Sequence, residues 1–259
     1  MKNNMAGALA DAWTMWKADR DLLIRVAGLI FFLPRFAVLV LTPSFVAPPV
    51  FPGFEAKEAA LQSYTAASQQ WFLTYGTGPV VISLVTLFGV LALTIMYLGS
   101  HRPDTRAALG SAVRLLPRYI VVAILLALPL ELFVKASPLL ILPALYLAGR
   151  LLLVTPAFVA EQPIGILATF RRSWASTQGM GLPLTGLACI AIFGGFLFAL
   201  PLALIGASLD GAPMANPVIA IIIDAATAAI LSAGVVAAIL IQVALYRRLA
   251  SRPVSNIGI

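Results

Sequence analysis

Six long runs of the chain are almost free of polar side chains: Leu22–Val46, Pro79–Leu98, Tyr119–Val134, Pro138–Phe158, Leu182–Ser208 and Pro217–Tyr246. At a rise of about 1.5 Å per residue, about twenty apolar residues cross the hydrocarbon core of a bilayer as a helix. Helices of a soluble bundle would carry polar stripes at helical spacing, and these runs carry almost none. The pattern predicts an all-α integral membrane protein of six transmembrane helices, one polytopic domain over residues 1–259.

The shorter stretches between the runs have a pattern of their own. Met5, Leu9, Trp13 and Trp16 recur at helical spacing before the first run. Leu109, Ala112 or Val113, and Leu116 do so before the third; Ile164, Leu167, Phe170 or Arg171, and Trp174 before the fifth. Short amphipathic helices of this kind lie in the headgroup plane. The chain therefore reads as three units, each an interfacial helix followed by a membrane hairpin. Residues 48–71 form the longest of the other connections, with Pro48-Pro49 and Pro52-Gly53 leading into an Ala-, Glu- and Gln-rich half over 55–70 that predicts a short surface helix. Lys135–Ser137 and Leu209–Asn216 read as tight hairpins.

Composition agrees with this picture, and charge orients it. Only 10% of residues are charged, against about 25% in soluble domains. The net charge of +7 comes from basic residues flanking the apolar runs, which points to anionic lipid and away from nucleic acid. Lys2, Lys17, Arg20 and Arg25 precede the first run; Arg102, Arg106, Arg114 and Arg118 lie between the second and third; Arg171 and Arg172 between the fourth and fifth; Arg247, Arg248 and Arg252 follow the sixth. The other three connections hold only Lys57 and Lys135. The positive-inside rule then places both termini in the cytoplasm. Asp11, Asp19 and Asp21 and the length of the first run argue against a cleaved signal peptide, so that run is expected to be retained.

Between the fourth and fifth runs, Tyr146-Leu-Ala-Gly-Arg150 is followed by Thr155-Pro156-Ala157, Glu161, Phe170-Arg-Arg-Ser-Trp174 and Gly179. This order resembles the membrane-domain family of glycerophosphoryl diester phosphodiesterases and the related YciC-like inner-membrane proteins. The resemblance is strongest over residues 143–182, and Asp11-Ala-Trp13 extends it loosely. Family members with phosphodiesterase activity carry a separate soluble barrel, for which these 259 residues leave no room. The resemblance therefore implies a stand-alone membrane domain associated with envelope or lipid homeostasis.

Chemistry inside the membrane is confined to a few residues. A charge at membrane depth costs about 2.5–3.5 kcal/mol on insertion scales, so each calls for a partner or a purpose. Arg35 in the first run, Arg150 in the fourth and Asp224 in the sixth form the candidate intramembrane polar site. Arg35 and Asp224 fall at matching depth in the outer half, which predicts an ion pair between the first and last helices. Pro34 beside Arg35 loosens that helix and favours a cavity. Arg150 falls near mid-membrane, with Glu161 in reach as its partner; Glu131 and Lys135 are spaced for a local pair. Ala225, Ala229, Ala233 and Ala237 form a small-residue ladder suited to an internal packing seam. Arg171, Arg172 and Trp174 form the candidate lipid-headgroup contact, basic and aromatic residues where an interface would lie.

No catalytic set stands out. His101 is the sole histidine and reads as a solvated loop residue, and Cys189 is the sole cysteine and reads as a small packed hydrophobe. Nucleotide-binding, metalloprotease and serine-hydrolase motifs are absent, and no cofactor or metal is implied. The expectation is a non-enzymatic protein that binds anionic membrane lipid or scaffolds a membrane protein partner. The alternative is a transporter for a small or lipidic solute, which would show a continuous polar cavity reaching Arg35, Arg150 and Asp224.

Overall fold

The computed structural model describes residues 2–41, 49–53, 55–99, 104–210 and 216–250, all helical or connecting, with no strand among them. The helices are α1 (Lys2–Ala27), α2 (Leu33–Leu41), α3 (Glu58–Tyr75), α4 (Thr77–Leu98), α5 (Thr105–Ala136), α6 (Ile141–Arg150), α7 (Val154–Ala160), α8 (Ile166–Ser176), α9 (Gly181–Asp210) and α10 (Pro217–Ala250). Six stretches are long and apolar enough to cross a membrane: Met5–Leu41, Thr77–Leu98, Thr105–Phe133, Ile141–Ala160, Gly181–Gly206 and Pro217–Ala250. The chain is thus an all-α, multi-pass membrane protein. His101, and the side chain of Lys135 with its expected Glu131 pair, lie outside the described residues.

Where the elements differ from expectation, proline and glycine chemistry explains it. The first crossing is one continuous run from α1 through α2. It bends at Asp19, whose backbone leaves the helical region (φ −117°, ψ 19°), and passes through a π-helical turn at Gly28–Phe32. In that turn Leu33 N–H donates to Gly28 O, which widens the helix just before Pro34 and relieves the clash its ring would make with the preceding turn. The stretch Thr105–Leu116 is likewise continuous with its span, α5 passing through Pro117 and Pro129. Of the three amphipathic stretches, α8 alone is a separate helix. The fourth crossing is broken at Leu151–Leu153, between α6 and α7. The outer surface helix is longer than foreseen, reaching Tyr75.

α9 and α10 form the central antiparallel pair; α1 and α2 pack on α10, α6 on α9, and α4 with α5 and α7 closes the bundle. The α9–α10 contact is made at glycine: a Cβ on Gly234 would lie 2.9 Å from the Gly195 Cα. Close glycine approaches of this type replace the hydrophobic effect, which is absent between helices already in lipid. The π-helical turn uses the same device, with Phe31 buried against Gly89 of α4. The alanine ladder does not: Ala229, Ala233 and Ala237 are exposed, and the buried face of α10 carries Thr227, Ala228, Ser232, Val236 and Ile239 instead. Helix rotation is set by the glycine contact, which turns that row outward.

The start of α1 and the end of α10 lie at one end of the bundle. Gly7, Asp11, Met15 and Asp19 form one row along α1 at four-residue spacing. Asp11 accepts two hydrogen bonds from Arg248 at 2.6 and 2.9 Å, and Arg248 also covers Gly7. Arg247 donates to Met15 Sδ and to the Tyr97 carbonyl, while Tyr97 Oη donates to Asp19 at 3.0 Å. The expected apolar row lies partly outside the protein, since Leu9 and Trp13 are exposed and Ala8 and Ala12 take the buried positions. With Gly194 as a control, because a Cβ there meets nothing within 4 Å, Gly234→Ala should destabilise the detergent-solubilised protein by about 1–3 kcal/mol. Thermal unfolding should show a lower Tm for Gly234→Ala and an unchanged one for Gly194→Ala.

Candidate functional site

The break at Leu151–Leu153 removes the normal partner of the Arg150 carbonyl, because Val154 N–H donates to Leu151 O instead. A hydroxyl of α8 replaces it: Ser173 Oγ donates to Arg150 O at 3.0 Å, while Thr177 Oγ1 stands 3.2 Å from that oxygen and nearer to Ser173 O, at 2.8 Å. The Arg150 side chain returns the favour at the end of α8. Its Nη1 donates to Thr177 O and its Nη2 to Trp174 O at 2.9 Å, with the guanidinium 4.3 Å from the centre of the Trp174 ring. Two helix C-termini thus cap each other through one arginine, and the positive charge sits where the α8 dipole favours it. Arg150 is only 5% exposed. It stands beside the first turns of α9, where Gly149 packs on Leu184 and Thr185 and Tyr146 on Gly181. It is therefore level with the Gly181 end of α9, midway along its own broken crossing Ile141–Ala160.

Glu161 is not the partner of Arg150. Its carboxylate takes Nε of Arg172 at 2.6 Å and the Tyr246 hydroxyl at 2.7 Å, tying α8 to α10. The hydrogen bond from Arg172 to Glu161 holds the guanidinium above its ordinary pKa. Nearby, Arg118 Nη2 donates to Ile164 O at 2.6 Å and pins the loop before α8. Arg172 is thus half-exposed but tied to Glu161, whereas Arg171 is exposed. The fully buried positions of this segment are the hydroxyl residues Thr169, Ser173 and Thr177. Its outward face, at i, i+4 and i+7, carries Leu167 (68% exposed), Arg171 and Trp174 (41% exposed).

Arg35 occupies a different place. Two adjoining lobes of a cavity, of about 430 and 560 Å³, share Arg35, Thr86, Tyr119, Leu126 and Thr155 in their walls. The first also reaches Gly195, Phe196 and Gln242, on α9 and α10; the second reaches Ser83, Ile124 and Ala127, on α4 and α5. Tyr119 Oη and Thr155 Oγ1 are hydrogen-bonded at 2.9 Å. Nη1 of Arg35 is buried and has no hydrogen-bond partner, a state that costs about 1–3 kcal/mol or more for a charged group. The expected ion pair with Asp224 is not formed, and no salt bridge among the described residues joins the two. The reason is depth: the α10 residues lining the Arg35 cavity begin at Leu231, two helical turns or about 10 Å along α10 from Asp224. Asp224, half-buried, has an interaction of its own.

The six site residues singled out by sequence therefore fall in three places. Arg150 joins Arg172 and Trp174 at the α6–α8 joint, Arg171 faces outward beside them, and Arg35 and Asp224 stand apart. Sequence reasoning missed the Ser173 cap with Thr177 beside it, and Thr86, Tyr119, Thr155 and Gln242 as cavity walls. The four-residue hydroxyl spacing Thr169, Ser173, Thr177 was the available signal for the cap. Among the described residues no cluster of three or more His, Cys, Asp or Glu could hold a metal ion. Compared with known proteins, the chain matches no family model, no curated protein and no solved structure.

Arg150→Met removes the caps of α8 and should cost about 2–4 kcal/mol, lowering Tm in detergent by about 5–15 °C. Ser173→Ala removes the nearest donor to Arg150 O and should cost about 1 kcal/mol. Equal Tm values for Arg150→Met and the parent protein would remove the joint from its structural role.

Proposed function

We propose that this is a non-enzymatic protein of the bacterial inner membrane that supports envelope or lipid homeostasis by binding anionic lipid at α8. The observation that carries the reading is the way α8 divides its residues. Its fully buried positions are hydroxyls, beside half-buried Ile166 and Phe170 on the core, and its outward side carries leucine, arginine and tryptophan, apolar and aromatic residues that a helix facing water would not expose together. Leu167 and Trp174 fit the boundary between acyl chains and headgroups, and Arg171 beside them fits a lipid phosphate. The end of the bundle that carries α8 also carries Arg20, Arg25, Arg106, Arg114, the start of α1 and the end of α10, which supports a cytoplasmic placement under the positive-inside rule. The resemblance to the membrane domains of glycerophosphoryl diester phosphodiesterases favours the same lipid-related role. Scaffolding of a membrane protein partner has no comparable feature in its favour.

Each basic residue near an anionic surface contributes about 1 kcal/mol, or about fivefold in affinity. Arg171→Gln should therefore lower co-purified anionic phospholipid by about fivefold, read by native mass spectrometry of the gently extracted protein, with Tm unchanged. Arg172→Gln should instead lower Tm, because it breaks the tie to Glu161. Unaltered lipid content in Arg171→Gln would sink the α8 reading.

A further inference from the structure

We infer that the cavity around Arg35 is a second, intramembrane site, which takes the carboxylate or phosphate of an anionic amphiphile entering sideways from the bilayer. It is independent of the α8 contact. Among the described residues Arg35 is the one charged side chain lining either lobe, so the described walls carry a positive charge and no acidic group to neutralise it. One guanidinium nitrogen is buried without an acceptor, in surroundings where no bulk water can serve as one. A carboxylate or phosphate oxygen is the acceptor that a guanidinium fork matches best.

The remaining polar groups are suited to the same ligand. Tyr119 and Thr155 share one hydrogen bond between two hydroxyls, so one of their two protons remains to be donated elsewhere. Thr86 and Gln242 add a hydroxyl and an amide to the same walls. Local backbone chemistry supports the placement: the π-helical turn Gly28–Phe32 and Pro34 directly precede Arg35, and π-bulges recur at functional sites.

The route of entry decides between an amphiphile and a free ion. Ile124 of α5 and Phe196 of α9 both line the cavity and are both exposed on the apolar outside of the bundle. These mouths open towards acyl chains, so a soluble anion would have to cross hydrocarbon to arrive. The tail of an amphiphile would remain between α4 and α5, against Leu87, Val122 and Ala127.

The test uses the full chain in dodecyl maltoside, with tritiated oleate as probe at alkaline pH and binding read by scintillation proximity. Oleate should bind, and oleoyl lysophosphatidate should compete with it. Oleyl alcohol should compete at least about tenfold more weakly, and inorganic phosphate should not compete at all. Arg35→Gln should weaken oleate binding by at least about tenfold, with Tm unchanged or raised because an unmatched buried charge is gone. Ala123→Trp, which fills the α5 lobe without touching Arg35, should abolish binding. Arg171→Gln should leave oleate affinity unaltered, which separates this site from the α8 contact. Undiminished oleate binding in Arg35→Gln, or competition by oleyl alcohol as strong as that of lysophosphatidate, would overturn the inference. Competition by inorganic phosphate as strong as that of lysophosphatidate would reassign the cavity to a soluble ion and overturn it equally. A lower Tm in Arg35→Gln with intact binding would make Arg35 a structural residue.

Discussion

A backbone carbonyl that loses its helix partner inside a membrane protein has no water to turn to. The architecture at the end where α1 starts and α10 finishes follows from how that constraint is met. Breaking the fourth crossing at Leu151–Leu153 frees Arg150 O; the Ser173 hydroxyl donates to it, and Arg150 caps Trp174 O and Thr177 O in exchange. Once α8 is held this way, Arg172 falls beside Glu161, and Glu161 beside Tyr246 of α10. Further along α10, Arg247 and Arg248 reach Tyr97 of α4 and Asp11 of α1. One polar network thus links five helices, whereas the rest of the bundle relies on glycine contacts and apolar packing.

Buried Arg150 and half-buried Arg35 differ in how fully they are satisfied. Arg150 has both Nη atoms bonded and an aromatic face beneath it, with only its Nε unbonded, so its charge belongs to the fold. Arg35 keeps an unbonded Nη1 beside an open volume. A natural chain tolerates such a group where function requires it, since apolar replacement would serve stability better. Satisfaction, and not depth or charge alone, separates a structural arginine from a candidate binding one.

The spans were legible because hydrophobic length is a one-dimensional property. Leu182–Ser208 and Pro217–Tyr246 fall inside single helices, and Pro79–Leu98 nearly matches α4. Arrangements that depend on rotation were not legible. The alanine row of α10 reads as a seam until the Gly195–Gly234 approach fixes which face turns inward. Likewise, counting residues put Arg35 level with Asp224. Arg35, in α2 just past the widened π turn, instead shares a cavity wall with Thr86 and Gln242. The triad of Arg171, Arg172 and Trp174 was visible as a composition, yet its division into one inward and two outward residues needed the helix phase of α8.

The same geometry bears on whether the Arg35 cavity conducts a solute or exchanges one with the bilayer. A conducting path would have to continue from Tyr119, Thr155 and Gln242 to the end where α1 starts and α10 finishes. Phe158, Val243 and Tyr246 occupy that direction and are buried, and beyond them Glu161 is held by both Tyr246 and Arg172. The side walls are less closed, with exposed Ile124 and Phe196 at their rims. Opening the sealed end would require breaking charge-assisted hydrogen bonds in surroundings of low dielectric, whereas sideways entry displaces only apolar side chains and lipid. The easier motion favours lateral binding from the membrane over passage across it.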